Sequence, residues 1–257
     1  MRLSGKVSVI TGGAQGIGKA IVEKFHQEGS VVVLLDLDDD LGRGVARDLD
    51  TVDYPVRYEH ADVAKEADVR RAIAQTLRSF GRIDILVNNA GRNAFFDAVE
   101  MTEEQWDEVL AVDLKGAWLC AKYVLPSMKA SEAGSIINIG SIQARLTARG
   151  NFPYSAAKAG VLGLTRNLAL DYARLGIRTN TISPGSIRTR MTEEFASHLP
   201  NPEEHLRKGL ELQPAGRLGT PQEVANVVAF IASDEASFIN GAEICVDGGL
   251  SVQFMAS

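Results

Sequence analysis

The chain has 257 residues, of which 45% are hydrophobic and 23% charged, and its net charge is −6. An acidic chain without a basic footprint is not expected to bind nucleic acid or an anionic membrane surface. Strand-like and helix-like segments alternate from end to end without a linker or low-complexity tract, so we predict one α/β domain over residues 1–257.

Length and composition also bear on location and metals. Residues 1–4 lead directly into the first strand and no apolar run is long enough to span a membrane, which predicts a cytoplasmic protein without membrane partners. Cys120 and Cys245 lie in apolar segments, and we expect both to be buried. The four histidines are scattered without ligand spacing, so we predict no metal site.

The first predicted strand, 6–11, runs into the turn T-G-G-A-Q-G-I-G, which contains Gln15 and Ile17 and leads into a helical pattern. Gly12 can adopt backbone angles closed to other residues, Gly16 lets the backbone approach a pyrophosphate, and Gly18 permits close helix packing. Alone, such a turn is as typical of packing as of nucleotide binding. With the next strand, it predicts a dinucleotide site.

The second predicted strand, 31–35, ends in Asp36, about twenty residues beyond the turn, where a carboxylate accepts hydrogen bonds from adenosine ribose hydroxyls. The alternative is a strand-end aspartate that faces solvent. NADP would place its phosphate against this carboxylate, and neither Gln15 nor Leu37 supplies a cation. We therefore predict NAD as the cofactor.

The middle of the chain predicts a helix at 38–49, a strand at 56–59, a helix at 66–80 and a strand at 83–87. The tetrapeptide 88–91, N-N-A-G, is typical of a turn. A long helix is expected from Thr102, a good N-cap, to about Val124, with Pro126 at its end.

Ser141 follows the apolar run I-I-N-I-G, which predicts a buried strand, and ligand crevices open at strand ends in parallel sheets. Tyr154 and Lys158 then open a helical pattern and share one face at i and i+4. An ordinary phenol titrates near pH 10, and a cation roughly 4 Å away stabilises the phenolate by about 4 kcal/mol at an effective dielectric near 20. Y-x-x-x-K alone is more typical of an accidental surface pair.

The last third predicts a strand at 176–182 followed by Ser183-Pro184-Gly185, a helix at 220–232, and a final strand before Asp247. Between them, 189–216 is polar and helix-like, and is broken by prolines. We predict that it forms a lid over the substrate, with an ordinary pair of surface helices as the alternative.

These motifs resemble the classical short-chain dehydrogenase/reductase family over about residues 5–250. The resemblance implies a Rossmann-type doubly wound α/β fold, with a seven-stranded, mostly parallel sheet and helices on both faces. It also implies an active site in which Tyr154 exchanges the proton, Lys158 stabilises the phenolate and binds the nicotinamide ribose, and Ser141 polarises the reacting oxygen.

The same resemblance implies further contacts with the cofactor. An Asp-Val pair, Asp62 and Val63, is expected beside the adenine, and Asn89, Ala90 and Gly91 of N-N-A-G are expected to support the sheet and contact the cofactor. The nicotinamide is expected near the P-G-x-x-x-T loop, at Pro184, Gly185, Ile187 and Thr189.

One position departs from the family pattern. The long helix usually carries an asparagine as a fourth catalytic member, whereas this chain has Asp113 there. We expect its carboxylate to hold a water in place of the amide and to raise the pKa of Lys158. This chain therefore lacks the amide through which the family passes its proton relay.

The predicted function is NAD-dependent interconversion of a secondary alcohol, such as a polyol, sugar or hydroxy acid, and a ketone. The alternatives are a 3-oxoacyl-(acyl-carrier-protein) reductase and a non-catalytic nucleotide-binding module. Arg145 and Arg149 are expected to contact either an anionic substrate or solvent. The family resemblance also implies a homo-oligomer, which is expected to be a tetramer. The candidate substrate-lining residues are Asn93, Phe95, Gln143, Met191 and Phe195.

Overall fold

The computed structural model describes residues 1–190, 192, 201, 207 and 209–253. Its strands are β1 (Val7–Thr11), β2 (Val31–Asp36), β3 (Val56–His60), β4 (Ile85–Asn88), β5 (Gly134–Ile139), β6 (Ile177–Pro184) and β7 (Glu243–Val246). They form one seven-stranded sheet in the order β3-β2-β1-β4-β5-β6-β7, and every neighbouring pair is parallel. The predicted Rossmann-type fold is confirmed.

Helices cover both faces of this sheet. They are α1 (Gly16–Gln27), α2 (Asp39–Leu49), α3 (Glu66–Phe80), α4 (Glu103–Leu110), α5 (Gly116–Ser131), α6 (Tyr154–Tyr172) and α7 (Pro221–Ala232). Successive side chains of a strand point to opposite faces. Val32 and Leu34 of β2 accordingly join an apolar cluster with α1 and α7, while Val33 and Leu35 join a second cluster with α3 and α5.

The strand order places the ligand crevice. Strands β1 and β4 are neighbours, and the chain builds outward from them in opposite directions. Ligands bind outside the carboxyl ends of the strands at such a switch point. The glycine turn after β1 and the N-N-A-G turn after β4 therefore meet at this crevice.

The predicted long helix differs from expectation in two ways. A π-helical segment, Ala111–Lys115, joins α4 to α5 and was not anticipated. The predicted end at Pro126 is wrong, because α5 continues to Ser131. Its apolar face stays buried on both sides of the proline, at Leu125 and Met128, and this packing outweighs the hydrogen bond that Pro126 cannot donate.

The cysteine prediction holds for one residue only. Cys120 is buried in α5, but Cys245 is exposed. The prediction fails there because β7 is an edge strand with a single neighbour, so an apolar strand pattern does not guarantee burial.

Some predictions fall on residues that the structure does not describe, namely Met191, Phe195 and much of the predicted lid at 189–216. Within the described ranges, no helix is long and apolar enough to cross a membrane. In the same ranges, no group of three or more His, Cys, Asp or Glu side chains is placed to hold a metal ion.

Candidate active site

The glycine turn has the shape of a phosphate cradle. Gly12 and Gly16 adopt positive φ angles of 64° and 56°. A Cβ on Gly18 would lie 1.8 Å from the carbonyl oxygen of Gly12, so only glycine fits there. Helix α1 begins at this turn, and the side chain of its N-cap, Gln15, makes no capping hydrogen bond. A helix N-terminus of this kind attracts phosphate charge.

The turn after β4 is tied to the glycine turn across the switch point. The Asn89 side-chain amide donates to the carbonyl oxygens of Thr11 and Gly12, each at 3.0 Å. In return, Thr11 Oγ1 accepts hydrogen bonds from the backbone N–H groups of Asn89 and Ala90. Sequence reasoning missed Thr11, although a hydroxyl that ends an apolar strand before a glycine turn was the available signal.

Asp36 lies at the carboxyl end of β2, and the backbone holds its carboxylate. Ala14 N–H donates to Oδ2 at 2.9 Å, and the N–H groups of Leu37 and Asp38 donate to Oδ1 at 2.8 and 3.1 Å. A carboxylate has about four acceptor positions, two on each oxygen, so Oδ2 can accept one further hydrogen bond. Asp36 therefore also anchors the glycine turn, a role that the sequence did not indicate.

The Asp-Val pair lies beside the first turn of α5. Asp62 Oδ1 accepts from Ala64 N–H, and Asp62 Oδ2 lies 3.2 Å from Lys65 Nζ. Val63 is buried against Gly116, where a Cβ would lie 3.0 Å from Val63 Cγ2.

The loop after β6 approaches the glycine turn. A Cβ on Gly16 would lie 3.6 Å from Thr189 Cγ2. Ile187 is buried, and Gly185, which follows Pro184 at the end of β6, packs so closely on Asp247 that a Cβ there would lie 2.7 Å from Asp247 Cβ. The segments predicted to hold a cofactor thus lie at one end of the sheet.

Lys158 is the buried centre of the predicted catalytic set. Its Nζ donates to the carbonyl oxygen of Ile139 at 3.2 Å, lies 3.3 Å from Asp113 Oδ1, and lies 5.4 Å from the centroid of the Tyr154 ring. Ser141 follows β5 two residues after Ile139, and its Oγ accepts from Gln143 N–H at 3.1 Å. The fold therefore brings a phenol, an ammonium and a carboxylate to the strand end that carries Ser141.

The electrostatics of this set follow from its burial. Burial raises the pKa of Asp113, and contact with Lys158 opposes that rise. For Lys158, burial opposes the charged form, but the neighbouring Tyr154 and Asp113 raise its pKa above the ordinary value. These neighbours therefore favour the protonated form of Lys158. Asp113 contacts this cation directly.

Among the candidate substrate residues, Gln143 contacts Ser141 through its backbone N–H. Gln143 accepts a hydrogen bond from the side-chain amide of Asn151 at 2.5 Å, a contact that sequence reasoning missed. The Arg145 guanidinium lies 2.5 Å from a Glu243 carboxylate oxygen, whereas Arg149 is exposed. Asn93 is half-buried, and Phe95 is 44% exposed.

A buried polar ladder behind the site was also missed. The Asn88 amide donates to Asn138 Oδ1, and the Asn138 amide donates to Thr165 Oγ1. The hydroxyl groups of Thr165 and Thr181 share a hydrogen bond. These bonds join β4, β5, α6 and β6. The signal was the lone asparagine in the apolar run I-I-N-I-G, because a buried amide needs hydrogen-bond partners.

Comparisons with known proteins identify the family. The profile of the family described as Enoyl-(Acyl carrier protein) reductase matches residues 12–251. L-fucose dehydrogenase of Bos taurus is 40% identical over 98% of this chain and 92% of its own length. The 3-oxoacyl-(acyl-carrier-protein) reductase FabG of Thermotoga maritima is 38% identical over 98% of this chain and 100% of its own. This chain is a classical short-chain dehydrogenase/reductase.

Solved structures agree with that assignment. Levodione reductase superposes with a TM-score of 0.94 at 34% identity and covers 98% of this chain and 100% of its own. Aldohexose dehydrogenase of Thermoplasma acidophilum superposes with a TM-score of 0.89 at 36% identity and covers 99% of this chain and 97% of its own. This short-chain dehydrogenase is therefore an oxidoreductase that acts on CH–OH groups with a nicotinamide cofactor. The glycine cradle and the anchored Asp36 fit such a dinucleotide.

Proposed function

We propose that this short-chain dehydrogenase uses NAD to oxidise a secondary alcohol of a sugar or polyol. The observation that carries the reaction is the buried Lys158 between Tyr154 and Asp113, at the strand end that holds Ser141. Tyr154 takes the proton of the alcohol, Lys158 stabilises the phenolate, and Ser141 orients the reacting oxygen. The nicotinamide supplies the acceptor for the hydride when it is bound.

The case for a polyhydroxy substrate rests on the amides beside Ser141. Gln143 and Asn151 hold each other through one hydrogen bond, which leaves each amide with further donor or acceptor capacity. Amides held in place in this way can donate hydrogen bonds to neutral hydroxyl groups and accept hydrogen bonds from them. The names of two relatives, L-fucose dehydrogenase and aldohexose dehydrogenase, point to the same substrate class.

The rival is reduction of a 3-oxoacyl group on a carrier protein, which the name of the FabG relative suggests. Docking of an acidic carrier calls for free cations around the site. Here Arg92 contacts Glu108 at 3.2 Å, and Arg145 contacts Glu243. These two ion pairs neutralise the charge of Arg92 and of Arg145, so we favour the small neutral substrate.

The substrate proposal is tested with a panel of L-fucose, aldohexoses and polyols with NAD, against a 3-oxoacyl thioester with NADPH. We expect NADH to form with at least one sugar or polyol and no appreciable oxidation of NADPH with the thioester. Faster turnover of the thioester than of every alcohol would overturn the proposal.

The preference for NAD rests on Asp36. A carboxylate roughly 4 Å from one charge of a ribose 2′-phosphate repels it by about 4 kcal/mol at an effective dielectric near 20, before screening by water and salt. Two cations that come after Asp36 in the chain are already paired with carboxylates. Arg43 contacts Asp39 at 2.8 Å, and Lys65 contacts Asp62 at 3.2 Å. We expect kcat/KM to favour NAD by at least about a hundredfold, or about 2.7 kcal/mol.

Two substitutions of Asp36 test this preference. Asp36→Asn keeps an acceptor for Ala14 N–H and removes the charge, so we expect the ratio of the two kcat/KM values to narrow mainly through better use of NADP. Asp36→Ala also releases the glycine turn, and we expect it to weaken use of both cofactors. Equal use of NAD and NADP by the unmodified enzyme would refute the role given to Asp36.

A further inference from the structure

The carboxylate of Asp113 is enclosed in the protein. Its side chain is 0% exposed and that of Lys158 is 5% exposed, and the two charged atoms lie 3.3 Å apart. The backbone N–H of Arg92 faces both carboxylate oxygens, at 3.3 and 3.4 Å. Water and salt screen an enclosed pair much less than a surface pair, so its charges act more strongly on their neighbours.

Two local features place Asp113 there. It lies in the π-helical segment Ala111–Lys115, where the wider turn shifts the side chain relative to a regular helix. The facing residue is Gly91, where a Cβ would lie 2.7 Å from Asp113 Oδ1 and 3.3 Å from Lys158 Nζ. The backbone thus leaves room for a direct contact between the carboxylate and the ammonium.

Among the described residues, few other charged groups act on this pair. Helix α6 contributes Tyr154 and Lys158, and β5 contributes only the uncharged Ile139 carbonyl and Asn138. The Arg92 guanidinium pairs with Glu108, whose side chain is 64% exposed. Within the described residues, the Asp113 carboxylate is therefore the buried anion that competes with the Tyr154 phenolate for the charge of Lys158.

We propose that Asp113 is a positioning residue that partly neutralises Lys158 and thereby raises the pH at which Tyr154 becomes a phenolate. The proposal rests on the proposed function only in giving Tyr154 the role of the base. Its consequence is that oxidation is confined to more alkaline conditions than Lys158 alone would set. Without the carboxylate, the full charge of Lys158 would act on the phenolate.

The expected size of the shift in the titration of the phenol follows from Coulomb's law. The interaction between two unit charges roughly 8 Å apart, at an effective dielectric near 20, moves a titration by about one pH unit once partial screening is allowed for. Such a shift is large enough to measure and leaves the enzyme active. We accordingly expect Asp113→Asn to retain activity within about tenfold at its own pH optimum.

The test measures the phenolate directly, without cofactor or substrate, from the near-ultraviolet absorbance of tyrosinate. Each titration is taken as the difference between a protein and the same protein carrying Tyr154→Phe, which removes the other tyrosines from the signal. We expect the midpoint for Asp113→Asn to fall by about one pH unit. The midpoint of the acid limb in the pH profile of kcat should move to lower pH by the same amount.

Glu108→Gln is the matched control, because it removes a nearby but exposed negative charge, and its midpoint should not move. Asp113→Ser is a second charge-removing variant if Asp113→Asn does not fold by circular dichroism. An unchanged midpoint in the folded variant would show that the carboxylate does not reach the phenolate. A rise would show that Asp113 mainly holds Lys158 in place, and either result overturns the proposal. Because no substrate is used, a failure of the proposed substrate class leaves this result readable.

Discussion

At the scale of single residues, the roles of Tyr154 and Lys158 can be separated. Tyr154→Phe keeps the ring that lies 5.4 Å from Lys158 Nζ but removes the exchangeable proton, so we expect turnover to fall well beyond tenfold with cofactor affinity nearly unchanged. Lys158→Ala removes a cation that contacts Asp113 and the Ile139 carbonyl, and we expect both turnover and cofactor affinity to fall. Steady-state kinetics and a fluorescence titration with the cofactor distinguish these outcomes. Full activity in either variant, or lost cofactor binding in Tyr154→Phe, would contradict the assigned roles.

At the scale of an element, the N-terminus of α7 stabilises the face that carries α1. Thr220 and Glu223 form a capping box, and hydrogen bonds from Arg217 and from Thr220 N–H hold the pKa of Glu223 at about 2. This value lies below the ordinary 4.5, so the interaction stabilises the fold above about pH 4.5 and is lost as the pH falls towards 2. We expect Thr220→Ala to lower the free energy of unfolding by about 1 kcal/mol at neutral pH in denaturant titrations, with Thr220→Ser close to the unmodified protein. Equal stability of all three proteins would show that the cap contributes nothing.

At the scale of the whole molecule, we propose that the chain forms a closed homo-oligomer, expected to be a tetramer. Helices α5 and α6 present large apolar side chains to solvent in the single chain, with Trp118 45% and Leu170 80% exposed. Such a face is typical of an interface between subunits. Light scattering at micromolar concentration should therefore give a mass above that of one chain, and Leu170→Glu should reduce it. Val52→Glu, at a site 97% exposed outside both helices, should leave the mass unchanged. A monomeric unmodified protein would refute the proposal.

The sequence alone was sufficient for the fold and for the positions of the main motifs. Strand and helix patterns have short periods, and each depends on residues close in the chain. The glycine turn, the strand that ends in Asp36 and the Tyr154 to Lys158 spacing are likewise local. These local patterns predicted the alternating order of the elements, and the family resemblance that they carry implied the parallel sheet and the crevice.

Only the tertiary structure decided which distant groups touch. The direct contact of Asp113 with Lys158 depends on a π-helical segment and on the missing side chain of Gly91, which no sequence period reports. The pairing of Arg145 with Glu243 and the exposure of Cys245 depend on where the edge strand β7 lies. Burial and neighbouring charge set the chemistry of a group, and both are properties of the packed molecule rather than of its local sequence.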